Sequence, residues 1–332
     1  MRLCLRFLRK LGSLDAHEPT QSPWNAVVLS RVRHLHLRAR VLTDALMMGD
    51  HRSRRVGQAI EFADYQEYTP GMDLRHLDWR VMGRSDRLVV RRFETETELP
   101  TSVVVDLSGD MSTGDRAEGG FPSLEGSKAG YAITLAATLL YFLHRHGEPV
   151  GLEVIAGETP FRTLPPRSHR NHLQQAFLAL AAAKPGGVAG LQAALVRAGS
   201  HTRRRSWVAV FSDGMEEPAH WLPALGAFAR RRVDLSFVHL FDEQELSLDY
   251  SQPSVFFSPE GGAELAVDPA AARAEFAKVV AEYVGEVRDG VVRWGGRYLR
   301  ASSRDPLEGV LRKLIVGGPL SSNVTMGARG EV

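Results

Sequence analysis

Cysteine is almost missing from this chain: Cys4 is the only one in 332 residues. One thiol excludes an intramolecular disulfide framework and any thiolate zinc site. Long apolar runs are missing too. Nowhere do about 18 consecutive apolar residues occur, so no membrane-spanning helix is expected. The start, Met1-Arg-Leu-Cys-Leu-Arg-Phe-Leu-Arg-Lys10, is broken by Arg2, Arg6 and Arg9 and leads to no small-residue cleavage site, so no secretory signal is expected. An excess of one charge is lacking as well. Lys+Arg number 41 and Asp+Glu 39, which removes the bulk electrostatic case for nucleic acid or an anionic membrane. Signature loops are absent: Gly120 to Gly126 followed by Ser127-Lys128 is one residue out of the Walker pattern. There is no Gly-x-Gly-x-x-Gly, no His-Glu-x-x-His and no Gly-x-Ser-x-Gly elbow. What remains is a protein of ordinary hydrophobic content (44%), long enough for a sizeable core and expected in the cytoplasm.

What the chain does have is alternation. Residues 1–22 read as a flexible tail, and from Pro23 apolar residues at three- and four-residue spacing (Val28, Leu29, Val32, Leu35, Val41, Leu42, Leu46) predict a helix. Residues 23–100 group this helix with a β-rich segment that holds Asp73-Leu-Arg-His-Leu-Asp-Trp79, a turn at Gly83-Arg-Ser-Asp86 and a strand at Leu88–Phe93. From residue 101 to 316 strands and helices alternate, the mark of an α/β fold with a doubly wound, mostly parallel sheet. Strands are expected at 101–106, 149–155, 207–211 and 233–240, with an edge partner at 160–164 and two short strands within 254–267. Helices are expected at about 124–144, 168–183, 191–198, 219–230, 270–288 and 306–315. A polar tail, 317–332, closes the chain.

The organising stretch is Thr101-Ser-Val-Val-Val-Asp-Leu-Ser-Gly-Asp-Met-Ser112. Three valines make a strand buried on both faces, which ends in Asp106, Ser108 and Asp110. In open α/β sheets ligands bind beyond the carboxyl ends of the strands. A second buried strand, Trp207–Phe211, ends in Ser212-Asp213-Gly214, so Asp213 can converge with the first loop. Oxygen ligands without His or Cys suit a hard cation: Mg²⁺, or Mn²⁺ or Ca²⁺. Asp106, Ser108, Asp110 and Asp213 are the candidate metal ligands. The plainer account is that the same residues cap the following helix.

Asp-x-Ser-x-Asp after a buried strand, with a later Asp, resembles the von Willebrand factor A fold, where a cation in a metal-ion-dependent adhesion site (MIDAS) is completed by an acidic group of the partner. The upstream segment, Tyr68-Thr-Pro-Gly-Met-Asp73, Arg75-His-Leu-Asp-Trp79, Arg84 and Leu88–Glu94, is similar to the bacterial domain-of-unknown-function 58 family. The resemblance covers about residues 45–315. It implies a von Willebrand factor A-like domain and a MoxR-type AAA+ ATPase as partner, acting with it in chaperone-like assembly or maturation of client proteins. It also implies a degenerate cation site. Asp110 stands where the motif has its second Ser, Val188 stands where the second loop has Thr, Met72 stands for the first acid of Pro-Gly-Asp-Asp, and Glu148 stands where Asp is commoner.

The leading expectation is therefore a non-catalytic adaptor. One alternative is a metal-free interaction domain that uses the Arg/Trp-rich surface of Asp73, Arg75, Asp78, Trp79 and Arg84, where Asp78 and Arg84 are read as an ion pair with Trp79 packed beneath. Another is a metal-dependent phosphohydrolase. It is disfavoured because the sequence places no Lys or Arg clearly beside Asp106 or Asp213, and phosphoryl chemistry needs such donors.

Overall fold

In the computed structural model the described residues are 26–50, 62–69, 79–85, 87–93, 98–116, 122–155, 162–187, 190–242, 245–246, 254–256 and 265–319. In chain order they form α1 (Ala26–Asp50), β1 (Phe62–Glu67), α2 (Trp79–Ser85), β2 (Val89–Phe93), β3 (Thr101–Asp106), β4 (Gly114–Arg116) and β5 (Pro122–Ser127). There follow α3 (Lys128–Arg145), β6 (Val150–Ile155), β7 (Arg162–Arg167), α4 (Arg170–Ala182), α5 (Leu191–His201) and β8 (Trp207–Ser212). The chain ends with α6 (Pro218–Trp221), α7 (Gly226–Arg230), β9 (Asp234–Phe241), β10 (Ser254–Phe256), β11 (Leu265–Val267), α8 (Pro269–Arg293), β12 (Arg297–Ser302) and α9 (Leu307–Val316). None of the helices among the described residues is long and apolar enough to cross a membrane.

Six strands form one sheet in the order β12-β9-β8-β3-β6-β7. All neighbours are parallel except β7, which runs antiparallel to β6 at the edge. The strand period of two splits the apolar residues between two layers. Val103 and Val105 of β3, Trp207, Ala209 and Phe211 of β8, and Val238 and Leu240 of β9 join a core with α1, α3, α4 and α9. Val104, Val208, Val210, Leu235 and Phe237 join a second core with α5 and α8. Burial on both faces is why these strands read as continuous apolar runs rather than as alternating ones.

The order of the strands decides where a site can form. From β3 the chain moves outward to β6 and β7, then returns to lay β8, β9 and β12 on the other side of β3. In open sheets such a reversal marks the edge where ligands bind, and here it lies at the carboxyl ends of β3 and β8, where Asp106 ends one strand and Asp213 follows the other.

Several elements differ from the sequence expectation. Leu124 lies in β5, which pairs with β4, and α3 begins only at Lys128 because the Ser127 side chain caps it by accepting from Gly130 N–H at 3.0 Å. The helix expected at 219–230 is broken into α6, a 3-10 turn at Leu222–Leu225 and α7. Pro223, which has no N–H to donate, lies at that break. The turn expected at 83–86 overlaps the end of α2. The parallel edge strand β12 went unanticipated, since Arg297-Tyr-Leu-Arg-Ala-Ser302 mixes charge with apolar residues and carries no buried-strand pattern. The helix α1, grouped by sequence with the β-rich segment, places Leu35, Ala39 and Leu46 in the same core as α3 and α4.

Candidate functional site

Asp106 and Asp213 end adjacent buried strands, and both are essentially inaccessible, at 1% and 0% exposure. Asp106 is held by two donors: Ser108 N–H reaches Oδ1 at 3.0 Å and the Ser212 hydroxyl reaches Oδ2 at 2.7 Å. Ser212 Oγ in turn accepts from Gly214 N–H at 2.9 Å, which ties the β8 loop to the β3 loop. The second loop is laced on by its backbone. Gly186 N–H donates to the Leu107 carbonyl at 3.0 Å, and Gly109 N–H donates to the Gly187 carbonyl at 2.9 Å.

The cation at this edge is a side chain. Lys128, the first residue of α3, is fully buried, and its ammonium donates to Asp213 Oδ2 at 2.8 Å and to Glu245 Oε1 at 2.7 Å. Glu245 Oε2 accepts from Asp242 N–H at 3.0 Å, so the loop after β9 closes over the pair. Behind Asp213 lies His239, its Nε2 2.7 Å from the Asp213 carbonyl and its Nδ1 2.9 Å from the Tyr298 hydroxyl. A carbonyl only accepts, so Nε2 carries the proton and Nδ1 accepts from Tyr298.

The electrostatics follow from burial and from crowding of like charges. Burial, and then the nearby Asp213 charge, push the Asp106 carboxyl up to about 7, against the pull of Ser212 and Ser108. Asp110, half-buried, is raised for the same two reasons and partly relieved by Lys128. Burial drives the Lys128 ammonium down, but Asp213 and Glu245 outweigh it and hold it above its ordinary value. Burial lowers His239 to about 4, so it is neutral near pH 7.

All four expected metal ligands come to one loop edge, but the set does not fit a resident divalent cation. The oxygens of Asp106 accept from Ser108 and Ser212, and those of Asp213 from Lys128 and, at 3.3 Å, from Met215 N–H. Ser108 Oγ is buried without a hydrogen-bond partner. What stands against an ion is charge: the Lys128 ammonium already lies 2.8 Å from Asp213 Oδ2, and a divalent cation there would face a like charge. Among the described residues no group of three or more His, Cys, Asp or Glu is placed to hold an ion. Val188 lies outside the described residues.

Lys128 and Glu245 are the site residues that sequence reasoning missed, and Lys128 corrects the expectation that no cation stands beside Asp213. The available signal was Ser127-Lys128 itself, a helix-capping Ser followed by a Lys where a helix start disfavours positive charge. The second surface is less complete. Asp73, Arg75 and Asp78 lie outside the described residues. Trp79, expected to pack beneath an ion pair, instead opens α2 at 65% exposure, and Arg84 is exposed in the last turn of that helix.

Comparison with known proteins gives three kinds of match. "Uncharacterized protein Mb1516" of Mycobacterium bovis (strain ATCC BAA-935 / AF2122/97) is 27% identical over 286 residues, 85% of this chain and 87% of its own. "Uncharacterized protein MT1527" of Mycobacterium tuberculosis (strain CDC 1551 / Oshkosh) matches to the same extent, 27% over 286 residues. Among solved structures, the conserved hypothetical protein BatB from Bacteroides thetaiotaomicron is 15% identical with a TM-score of 0.42, covering 66% of this chain and 98% of that one. The SpRpn10 VWA domain is 12% identical with a TM-score of 0.36, covering 71% of this chain and 100% of that one. The family model described as "Protein of unknown function DUF58" matches residues 64–284, a span that takes in β3, β8, Lys128 and Glu245. On that match, which covers more than half its length, the chain belongs to the DUF58 family.

Proposed function

We propose that this protein is a non-catalytic interaction module that docks a partner on the loops at the carboxyl edge of its sheet. In this reading it works in the cytoplasm with a MoxR-type AAA+ ATPase, in chaperone-like assembly or maturation of client proteins. The observation that carries the reading is how the edge divides its side chains. The side chains of Asp106, Lys128 and Asp213 are buried and hold the loops together, while Met215 at 42% exposure, Glu217 and the half-buried Asp110 reach the surface. An exposed apolar side chain and accessible acids, on loops braced by a buried network, suit protein docking better than substrate turnover. The cleft beside the first turn of α3, lined by Arg38, Ser127, Tyr131 and Asp305, encloses about 170 Å³. Small-molecule sites usually span roughly 300–1,000 Å³.

The phosphohydrolase alternative gains a cation in Lys128, but that ammonium has no exposed surface and is committed to two carboxylates, so it has none to offer a phosphoryl group. The test is binding of the purified ATPase to wild type and to Met215→Asp and Asp110→Ala. Each substitution is expected to weaken binding roughly tenfold or more without changing the melting temperature. Unchanged affinity in both variants would sink the docking edge, and turnover of a generic phosphoester that disappears in Asp106→Ala would restore the hydrolase.

A further inference from the structure

We propose that the Lys128 ammonium is the resident cation of this loop edge, a tethered charge that takes the carboxylate a divalent ion would need, with Glu245 as its resident acid. The site is then complete within one chain. Three observations support this. The Lys128 and Asp213 side chains have no exposed surface, and the ammonium is 2.8 Å from Asp213 and 2.7 Å from Glu245, contact distances for charge-assisted hydrogen bonds. Lys128 is also the first residue of α3, the end of a helix where positive charge is disfavoured, so helix electrostatics do not account for its position. The carboxylates do. Lastly, Glu245 is the one member of the trio with side-chain exposure, 21%, so it closes the pair from the solvent side. The partner that an ion would need is thereby taken, and a divalent ion on Asp213 would sit against a like charge.

The inference stands whether or not the edge docks a partner, and its test needs no partner. Full-length wild-type protein is titrated with Mn²⁺ and followed by electron paramagnetic resonance, and its melting temperature is compared in EDTA and in millimolar Mg²⁺. Neither bound Mn²⁺ nor a shift in melting temperature is expected. Tight Mn²⁺ binding that is lost in Asp213→Asn would overturn the proposal. A double-mutant cycle supplies the second readout. Lys128→Met is expected to lower the melting temperature by roughly 10 °C, since it strands buried carboxylates. Adding Asp213→Asn to it should recover a large part of that loss, because the uncompensated charge is gone. Strictly additive losses would overturn the pairing. If Lys128→Met alone does not fold, the Mn²⁺ titration of the wild type decides.

Discussion

His239 is neutral because it is buried, against the pull of the Asp213 carbonyl and charge. Burial penalises the charge of a second ring proton, and the neutral ring already has both nitrogens in use, Nε2 donating to the Asp213 carbonyl and Nδ1 accepting from Tyr298. Its value near 4 lies below the 6.5 of an unfolded chain, so between these limits the unfolded state binds the proton and the native state does not. Stability from this group is therefore complete above pH 6.5 and is lost as pH falls toward 4. Asp106 works in the opposite sense. Its value of about 7 exceeds 3.8, so over that window the native state holds a proton the unfolded state lacks, and stability rises as pH falls. The two contributions oppose each other on acidification. Thermal melts from pH 7 to 4 are expected to fall more steeply in Asp106→Asn than in wild type, and less steeply in His239→Gln. Equal slopes in all three proteins would refute both assignments.

At the scale of the element, the loop after β8 depends on Gly214. Its φ is +61°, a left-handed backbone, and its carbonyl accepts from the Tyr283 hydroxyl of α8. A Cβ there would meet His239 Nε2 and Tyr283 Oη at 3.5 Å, ordinary contact, so backbone conformation is the main cost of a side chain. Gly214→Ala is expected to lose about 1–2 kcal/mol in chemical denaturation. A loss nearer zero would mean the loop can change its conformation freely. The same scale explains α3. Ser127 caps it, and His144 and Arg145 occupy its last turn, where positive charge suits the dipole. The cap sets the start at 128, and so puts Lys128 rather than a later residue under the β8 loop.

Over the whole molecule, α1 belongs energetically to the sheet rather than to a detachable leader. Leu35 and Ala39 are buried at 2% and 0% exposure in the core that contains α3 and α4, and Arg145 of α3 pairs with Asp44 of α1. Leu35→Ala is expected to cost about 2–5 kcal/mol, read as a lower denaturant midpoint with a single transition. A separate early transition would show instead that α1 melts as its own unit. The sheet edges are also managed at this scale. β7 carries Pro165 and Pro166 between Arg162 and Arg167, residues that discourage a further strand from pairing there.

The sequence by itself determined what local chemistry can determine. Val103–Val105 and Trp207–Phe211 are strands because continuous apolar runs need burial on both faces, and Asp106 and Asp213 end them because the runs stop there. The alternating α/β order followed from periodicity, and the DUF58 resemblance followed from ordered motifs. Periodicity had little to say about β12, where Arg297 and Arg300 interrupt the apolar residues, or about the break at Pro223, where tertiary packing on both sides kept the segment turning. Tertiary structure alone decided the charge balance of the site. Lys128, Asp213 and Glu245 are separated by 85 and 32 residues, and nothing local to any of them reports the other two. Only the strand order, which lays β8 beside β3 and sets α3 beneath their loops, brings an ammonium to the carboxylates. A buried charge must find its counter-charge wherever the fold delivers it, and that pairing is a property of the topology.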